Sequence, residues 1–182
     1  SGRAGMSGNP EIGQQVQTGP VTTNYHDVGQ GAPVLLIHGS GPGVSAWANW
    51  RLTMAALAPG YRCLAPDMAG FGYSTVSSDY AFNRQAWLDQ LIAFMDAMGV
   101  ERAHVIGNSF GGSMALALAI AAPQRVDRLV LMGSVGVPFA ITPGLDAVWG
   151  YTPGLENMRA IMDYFAHDRS LIGEDLIRLR YE

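Results

Sequence analysis

The chain has 182 residues, enough to enclose the core of one domain, and 48% of them are hydrophobic against 14% charged, which excludes a disordered polymer. A net charge of −4, with 11 basic residues spread along the sequence, argues against nucleic acid or an anionic membrane surface as a partner. The single cysteine, Cys63, leaves no internal disulfide and suits a reducing, cytoplasmic compartment, and its expected role is a buried core thiol.

Residues 1–5, ahead of Met6, read as a remnant of an expression vector, and no secretory signal or transit peptide is visible. Between residues 6 and 32, β-prone pieces such as Val21-Thr22-Thr23-Asn24-Tyr25 and turns at Gly29 to Gly31 predict an antiparallel edge pair. Pro33 to His38 is a continuous apolar run, as expected of a strand buried on both faces. Gly39-Ser40-Gly41-Pro42-Gly43 must be a loop. Ser45 is placed to cap a helix carrying Trp47, Trp50, Met54 and Leu57 on one face, and Pro59-Gly60 stops it. Tyr61 to Pro66 is a second short strand, leading into a loop from Asp67 to Ser74 in which Asp67 is expected to act as a brace.

Asn83 opens the next helix, with Trp87, Leu91, Phe94, Met95 and Met98 on its buried stripe and Gly99 closing it. Ala103 to Ile106 is the third strand of the parallel set. The helix-forming run Met114 to Ala122 follows; it is the longest apolar stretch and far too short to cross a bilayer. Pro123 ends that helix and Arg125 to Met132 is the fourth strand. The alternation of strand and helix predicts an α/β fold with a mostly parallel sheet, flanking helices and right-handed crossovers. After Gly136 the strand signal stops. Helices are predicted over Leu155 to Ala166 and from about Glu174, so residues 6–136 read as the N-terminal part of the core and 137–182 as the first part of a helical lid.

The sequence is organised around Val105-Ile106-Gly107-Asn108-Ser109-Phe110-Gly111-Gly112-Ser113. A β run enters Gly-x-Ser-x-Gly and a helix leaves it, the context in which this motif becomes a nucleophile elbow. Ser109 is held at a sharp turn, its flanking glycines permit close approach of strand and helix, and the helix N-terminus favours negative charge beside it.

His38-Gly39-Ser40-Gly41-Pro42-Gly43, Trp47-Ala48-Asn49-Trp50, Asp67 to Ser74 and Gly107 to Gly112 resemble the α/β-hydrolase fold. More narrowly, together with Leu131 to Gly136 and Gly144 to Gly150, they resemble the meta-cleavage product hydrolases, which cut carbon–carbon bonds in bacterial aromatic degradation. The resemblance runs from about Ile12 to Glu182. It implies Ser109 as nucleophile, or as the residue that positions an attacking water. It implies the backbone amides of Ser40 and Phe110 as oxyanion hole, and Gly39, Gly41, Asn49, Asn108 and Arg180 as groups holding a small dienoate substrate by its carboxylate end. An arginine fork suits a carboxylate. His38, at a strand end, is expected to brace a loop rather than serve as base. Neither a metal nor an organic cofactor is expected, and the resemblance leaves room for a homo-oligomer in the intact parent.

The chain departs from the pattern in one respect. In this fold the order is serine, acid, histidine, with the last two on loops after later strands. Beyond Ser109 the only histidine is His167, on a predicted lid helix, and Gly133 to Gly136 contains no acid. The expectation is therefore a chain truncated before the last strands, carrying the nucleophile without its acid–base pair and inactive by itself. The intact parent is expected to hydrolyse a 2-hydroxy-6-oxohexa-2,4-dienoate to 2-hydroxypentadienoate and a carboxylic acid. Two alternatives stay open: a carboxylesterase of the same fold, and a non-catalytic binding protein that keeps the pocket.

Overall fold

An apolar run without alternation can bury both faces of a strand only if layers cover both, and the computed structural model supplies them. It describes residues 8–134, 136, 140–143, 146, 150, 152–165, 170 and 172–181. Strand β3 (Ala32–Ile37) lies between β4 (Tyr61–Pro66) and β5 (Ala103–Asn108) and runs parallel to both. Val34 and Leu36 enter one core with Ala46, Trp50, Met54, Cys63 and Ala65. Leu35 and Ile37 enter the other, with Leu91, Phe94, Met95, Val105, Met114 and Leu118. Helix α1 (Ala46–Leu57) covers the first face, and α2 (Arg84–Ala97) with α3 (Phe110–Ala121) covers the second.

The expected antiparallel pair is β1 (Gln14–Thr18) and β2 (Val21–Val28), and β6 (Val126–Met132) closes the other side, giving the order β1-β2-β4-β3-β5-β6. The pair is not a separate ribbon, because β2 also joins β4 antiparallel, placing Tyr25 opposite Pro66 and Val28 opposite Cys63. From β3 the chain moves outward to β4 and then returns past β3 to β5. The crevice beyond the carboxyl ends of β3 and β5 is therefore the switch point at which sheets of this kind bind ligands.

Caps fall where the sequence put them. Ser45 Oγ accepts from Ala48 N–H at 3.1 Å and Asn83 Oδ1 from Ala86 N–H at 2.9 Å. Gly99 takes a φ of 68° just past α2, a left-handed conformation that costs glycine little. Two details differ from expectation. Arg125 lies in a 3-10 turn (Pro123–Arg125) before β6, where its guanidinium holds Asp96 and the carbonyls of Val100 and Glu101. Trp87 on α2 and Met98 just past it are only half-buried, whereas Leu88 and Gln90 are buried. Gln90 tolerates burial because its amide reaches Thr23 Oγ1 and Asp67 O while its carbonyl accepts from Ala69 N–H.

The chain divides into two compact units, Ser1–Gly136 and Val137–Glu182. The second holds α4 (Leu155–Phe165) and α5 (Glu174–Tyr181), joined by the Arg159–Glu174 ion pair, with Met158, Ile161 and Ile177 buried. Ala166, the expected end of the first lid helix, lies outside the described residues. Cys63 is fully buried, as expected of a core thiol. No helix among the described residues is long and apolar enough to cross a membrane.

The two caps differ in what they hold. Ser45 Oγ also donates to Glu11 Oε1 at 2.6 Å, while Asn83 caps an exposed helix end. Asn83→Ala is expected to cost about 1 kcal/mol, an ordinary cap. Ser45→Ala should cost more, read as the larger fall in urea midpoint.

Candidate active site

Strand β5 ends at Asn108 and α3 begins at Phe110, so one residue makes the whole reversal. That residue is Ser109, with φ 54° and ψ −115°, and it alone among the described non-glycine residues has a positive φ. Such a conformation costs of order 1–3 kcal/mol and persists only where the surroundings impose it. The surroundings are specific. Ser109 N–H donates to Met132 O at 2.8 Å, and Ser109 O accepts from Gly112 N–H at 2.9 Å and Ser113 N–H at 3.2 Å. A Cβ on Gly107 would strike the Gly111 carbonyl, one on Gly111 would strike the carbonyls of Ile37 and His38, and one on Gly112 would fall on Ser134 Oγ. The motif's glycines are required by this close packing of α3 on β3 and β5.

The loop after β3 comes to the same place. A Cβ built on Gly39 would stand 3.6 Å from Ser109 Cβ and 3.4 Å from Asn108 Nδ2. Gly39 is buried, Ser40 and Gly41 are exposed, and Asn108, Ser109 and Phe110 are half-buried. Gly39 N–H donates to Asn49 Oδ1 at 3.0 Å, and Asn108 Nδ2 donates to the same oxygen at 3.0 Å. The backbone N–H groups of Ser40 and Phe110 have no hydrogen-bond partner among the described residues. Backbone donors of this kind, where they face a developing oxyanion, are worth about 2.7–4 kcal/mol each in acyl transfer.

His38 is fully buried. Its Nδ1–H donates to Gly39 O at 2.6 Å and its Nε2 accepts from Met68 N–H at 2.9 Å, which fixes a neutral tautomer and uses both ring nitrogens. Burial holds its pKa below the ordinary imidazole value, with the Gly39 carbonyl and the Asp67 charge pulling less strongly the other way. The ring is therefore a brace. His26 and His104 are engaged elsewhere, His26 with Glu11 O and His104 beside Asp127. His167 lies outside the described residues.

Asp67, also fully buried, accepts from Ala46 N–H at 2.7 Å, Asn24 Nδ2 at 2.9 Å and Tyr73 N–H at 2.8 Å. It ties the start of α1 to the loop after β4. The sequence named Trp87 and Phe110 for other reasons but not the aromatic cluster they form with Phe71, nor Ser134. Phe110 packs against Trp87 and Phe71 with ring centroids 4.9 and 5.7 Å apart, and Trp87 Nε1–H donates to Ala69 O at 2.9 Å. The signal for Trp87 was its place on the apolar stripe of α2. Ser134 carried no signal, because its importance is steric contact with a distant glycine. Arg180 falls on α5, in the second unit, and its side chain lies outside what the structure describes. No group of three or more His, Cys, Asp or Glu residues that could hold a metal occurs among the described residues.

A strained serine between a parallel strand and a helix, at the switch point of this sheet, defines a class. Residues 32–182 match the alpha/beta hydrolase fold family, and the chain belongs to it. Within that class it is 55% identical over 174 residues to the 2-hydroxymuconate semialdehyde hydrolase of Pseudomonas sp. (strain CF600), covering 96% of this chain and 62% of that protein. It is 53% identical over 174 residues to a 2-hydroxy-6-oxo-2,4-heptadienoate hydrolase of Pseudomonas putida, covering 96% of this chain and 63% of that one. Among solved structures it is similar to a meta-cleavage product hydrolase from Pseudomonas fluorescens IP01 (CumD), crystallised as a serine-to-alanine mutant with acetates. There the TM-score is 0.89 and the identity 56%, over 95% of this chain and 64% of that one. The chain thus spans just under two thirds of the length of these relatives.

The geometry generates two expectations. Ser109→Gly should be more stable than Ser109→Ala by about 1 kcal/mol, since glycine relieves the strained φ at some entropic cost; chemical denaturation of the two variants compares them. Below about pH 6.5 the unfolded chain protonates its histidines while the folded chain keeps His38 neutral, so the unfolded state binds more protons and stability falls as pH drops. His38→Gln should be less stable at pH 8, yet lose less on going to pH 5 than the parent sequence, as urea titrations at the two pH values would show.

Proposed function

We propose that the whole protein hydrolyses a carbon–carbon bond in a 2-hydroxy-6-oxohexa-2,4-dienoate. The observation that carries the serine chemistry is Ser109 at φ 54° between β5 and α3, with the amides of Ser40 on the neighbouring loop and of Phe110 next in the chain unpartnered among the described residues. The choice of substrate class draws on the printed names of the relatives, which act on 2-hydroxymuconate semialdehyde and 2-hydroxy-6-oxo-2,4-heptadienoate.

In this reading the 2-hydroxydienoate first tautomerises to its ketone, moving the enol proton to carbon 5 and creating an electron sink. Ser109 Oγ, or a water it positions, then adds to the carbonyl at carbon 6, and the negative charge forming on that oxygen is met by the amides of Ser40 and Phe110. Cleavage between carbons 5 and 6 returns the electron pair to the dienolate, which takes up a proton and leaves as 2-hydroxypentadienoate; the acyl part leaves as a carboxylic acid after water adds. Gly39 and Gly41 let the backbone approach the substrate, and Asn49, Asn108 and Arg180 hold the carboxylate end. His38 does not serve as the base that takes the Ser109 proton, because its Nδ1–H is donated to Gly39 O and its Nε2 lone pair is taken by Met68 N–H.

Arg180 separates this reading from a carboxylesterase of the same fold. Arg180→Ala should lower kcat/KM for the dienoate by at least 100-fold while p-nitrophenyl ester hydrolysis stays within threefold, because a simple ester has no carboxylate to clamp. An equal fall on both substrates, or none on either, would favour the esterase. Ser109→Ala should abolish reaction of the protein with a fluorophosphonate probe.

A further inference from the structure

The peptide units on either side of Gly39 are each held by a different side chain. The unit between His38 and Gly39 is held through its N–H, which donates to Asn49 Oδ1 at 3.0 Å. The unit between Gly39 and Ser40 is held through its carbonyl, which accepts from His38 Nδ1–H at 2.6 Å. Every described peptide is trans, so within the second unit the Ser40 N–H points opposite to the carbonyl that His38 grips. With both units fixed, the orientation of the Ser40 donor is decided before any substrate arrives.

Asn49 makes a second bond that links this loop to the serine. A backbone N–H only donates, so the Asn49 atom facing Gly39 is its oxygen, and Asn108 must then turn its NH2 group to that oxygen, 3.0 Å away. One oxygen thus joins the loop after β3 to the residue preceding Ser109. Asn49 itself stands on a fixed support. Its N–H donates to Ser45 O at 3.0 Å in the first turn of α1, Ser45 caps that turn, and Asp67 Oδ1 takes the Ala46 N–H at 2.7 Å. Asn49 is half-buried.

We propose that Asn49 is a positioning residue whose side-chain oxygen, bridging Gly39 N–H and Asn108 Nδ2, sets the oxyanion loop at the correct distance from Ser109. This rests on the hydrolase reading above and deepens it, since that reading gives Asn49 only a contact with the carboxylate end of a dienoate. The two roles predict opposite patterns. A group that positions the oxyanion loop serves every carbonyl substrate, whereas a carboxylate ligand serves only the dienoate.

The test begins without any variant. A through-hydrogen-bond scalar coupling between the Gly39 backbone nitrogen and the Asn49 side-chain carbonyl carbon is expected in the 182-residue chain, and its absence overturns the proposal. Asn49→Ala should raise hydrogen exchange at the Gly39 amide at least tenfold, whereas Asn49→Asp, which keeps an acceptor oxygen in place, should leave it within threefold. In the whole protein, Asn49→Ala should lower kcat for a p-nitrophenyl ester and for the dienoate by similar factors of 10- to 100-fold, with KM for the ester changed less than threefold. A loss confined to the dienoate and expressed in KM overturns the proposal, as does unchanged Gly39 exchange in Asn49→Ala. If Asn49→Ala fails to fold, the coupling and the Asn49→Asp exchange rate decide the matter. Ester turnover with no dienoate turnover would remove the substrate assignment and leave the positioning role standing.

Discussion

The first turn of α3 lies so close to the ends of β3 and β5 that no side chain fits at Gly107 or Gly111, and Ser134 leaves no room for one at Gly112. This contact leaves one residue in which to turn from strand to helix, and the turn can be completed only with a positive φ at Ser109. The strain is held by the core beneath it, where Met114 and Leu118 of α3 are buried with Leu35 and Val105 of the sheet. Because α3 starts immediately after the serine, the Phe110 N–H has no preceding turn to bond with and has no partner among the described residues. A stable core thus supports a locally unfavourable conformation, and that conformation is what presents a hydroxyl and a spare amide at the surface of the crevice.

Around this elbow the loops are fixed by buried polar groups rather than by apolar contact alone. Asp67 is a fully buried carboxylate whose cost of desolvation is offset by two backbone N–H groups and the Asn24 amide. His38, equally buried, spends both nitrogens on backbone groups of two different loops. Phe71 then packs on both His38 and Phe110, so the loop after β4 touches the residue next to the serine. Networks of this kind set donors in place before the reaction, which is where electrostatic stabilisation of an oxyanion gains most.

Much of the fold could be read from local pattern. The unbroken apolar run at Pro33 to His38 implied two covering layers, and the caps at Ser45 and Asn83 are local chemistry that needs no tertiary knowledge. Gly-x-Ser-x-Gly between a β run and an alanine-leucine helix was legible for the same reason. What escaped was decided by distant partners. Gln90 looks like a surface residue until Thr23 and Ala69 are beside it, and Arg125 looks like a strand residue until the carbonyls of Val100 and Glu101 claim its guanidinium. The pairing of β2 with β4 depends on a crossover that periodicity does not encode. Asn49 was noticed for a family likeness, but its bond to Gly39 joins residues ten apart through a loop whose shape no propensity predicts.

Cys63 sits on β4 with no exposed surface, and burial, together with the charge of Asp27, holds its thiol above the ordinary cysteine pKa. Neutral, enclosed sulfur reacts slowly with electrophiles. A dye, spin label or cross-linker could therefore be attached at any new surface cysteine without first removing the native one, which makes this chain a convenient subject for distance measurements across its crevice.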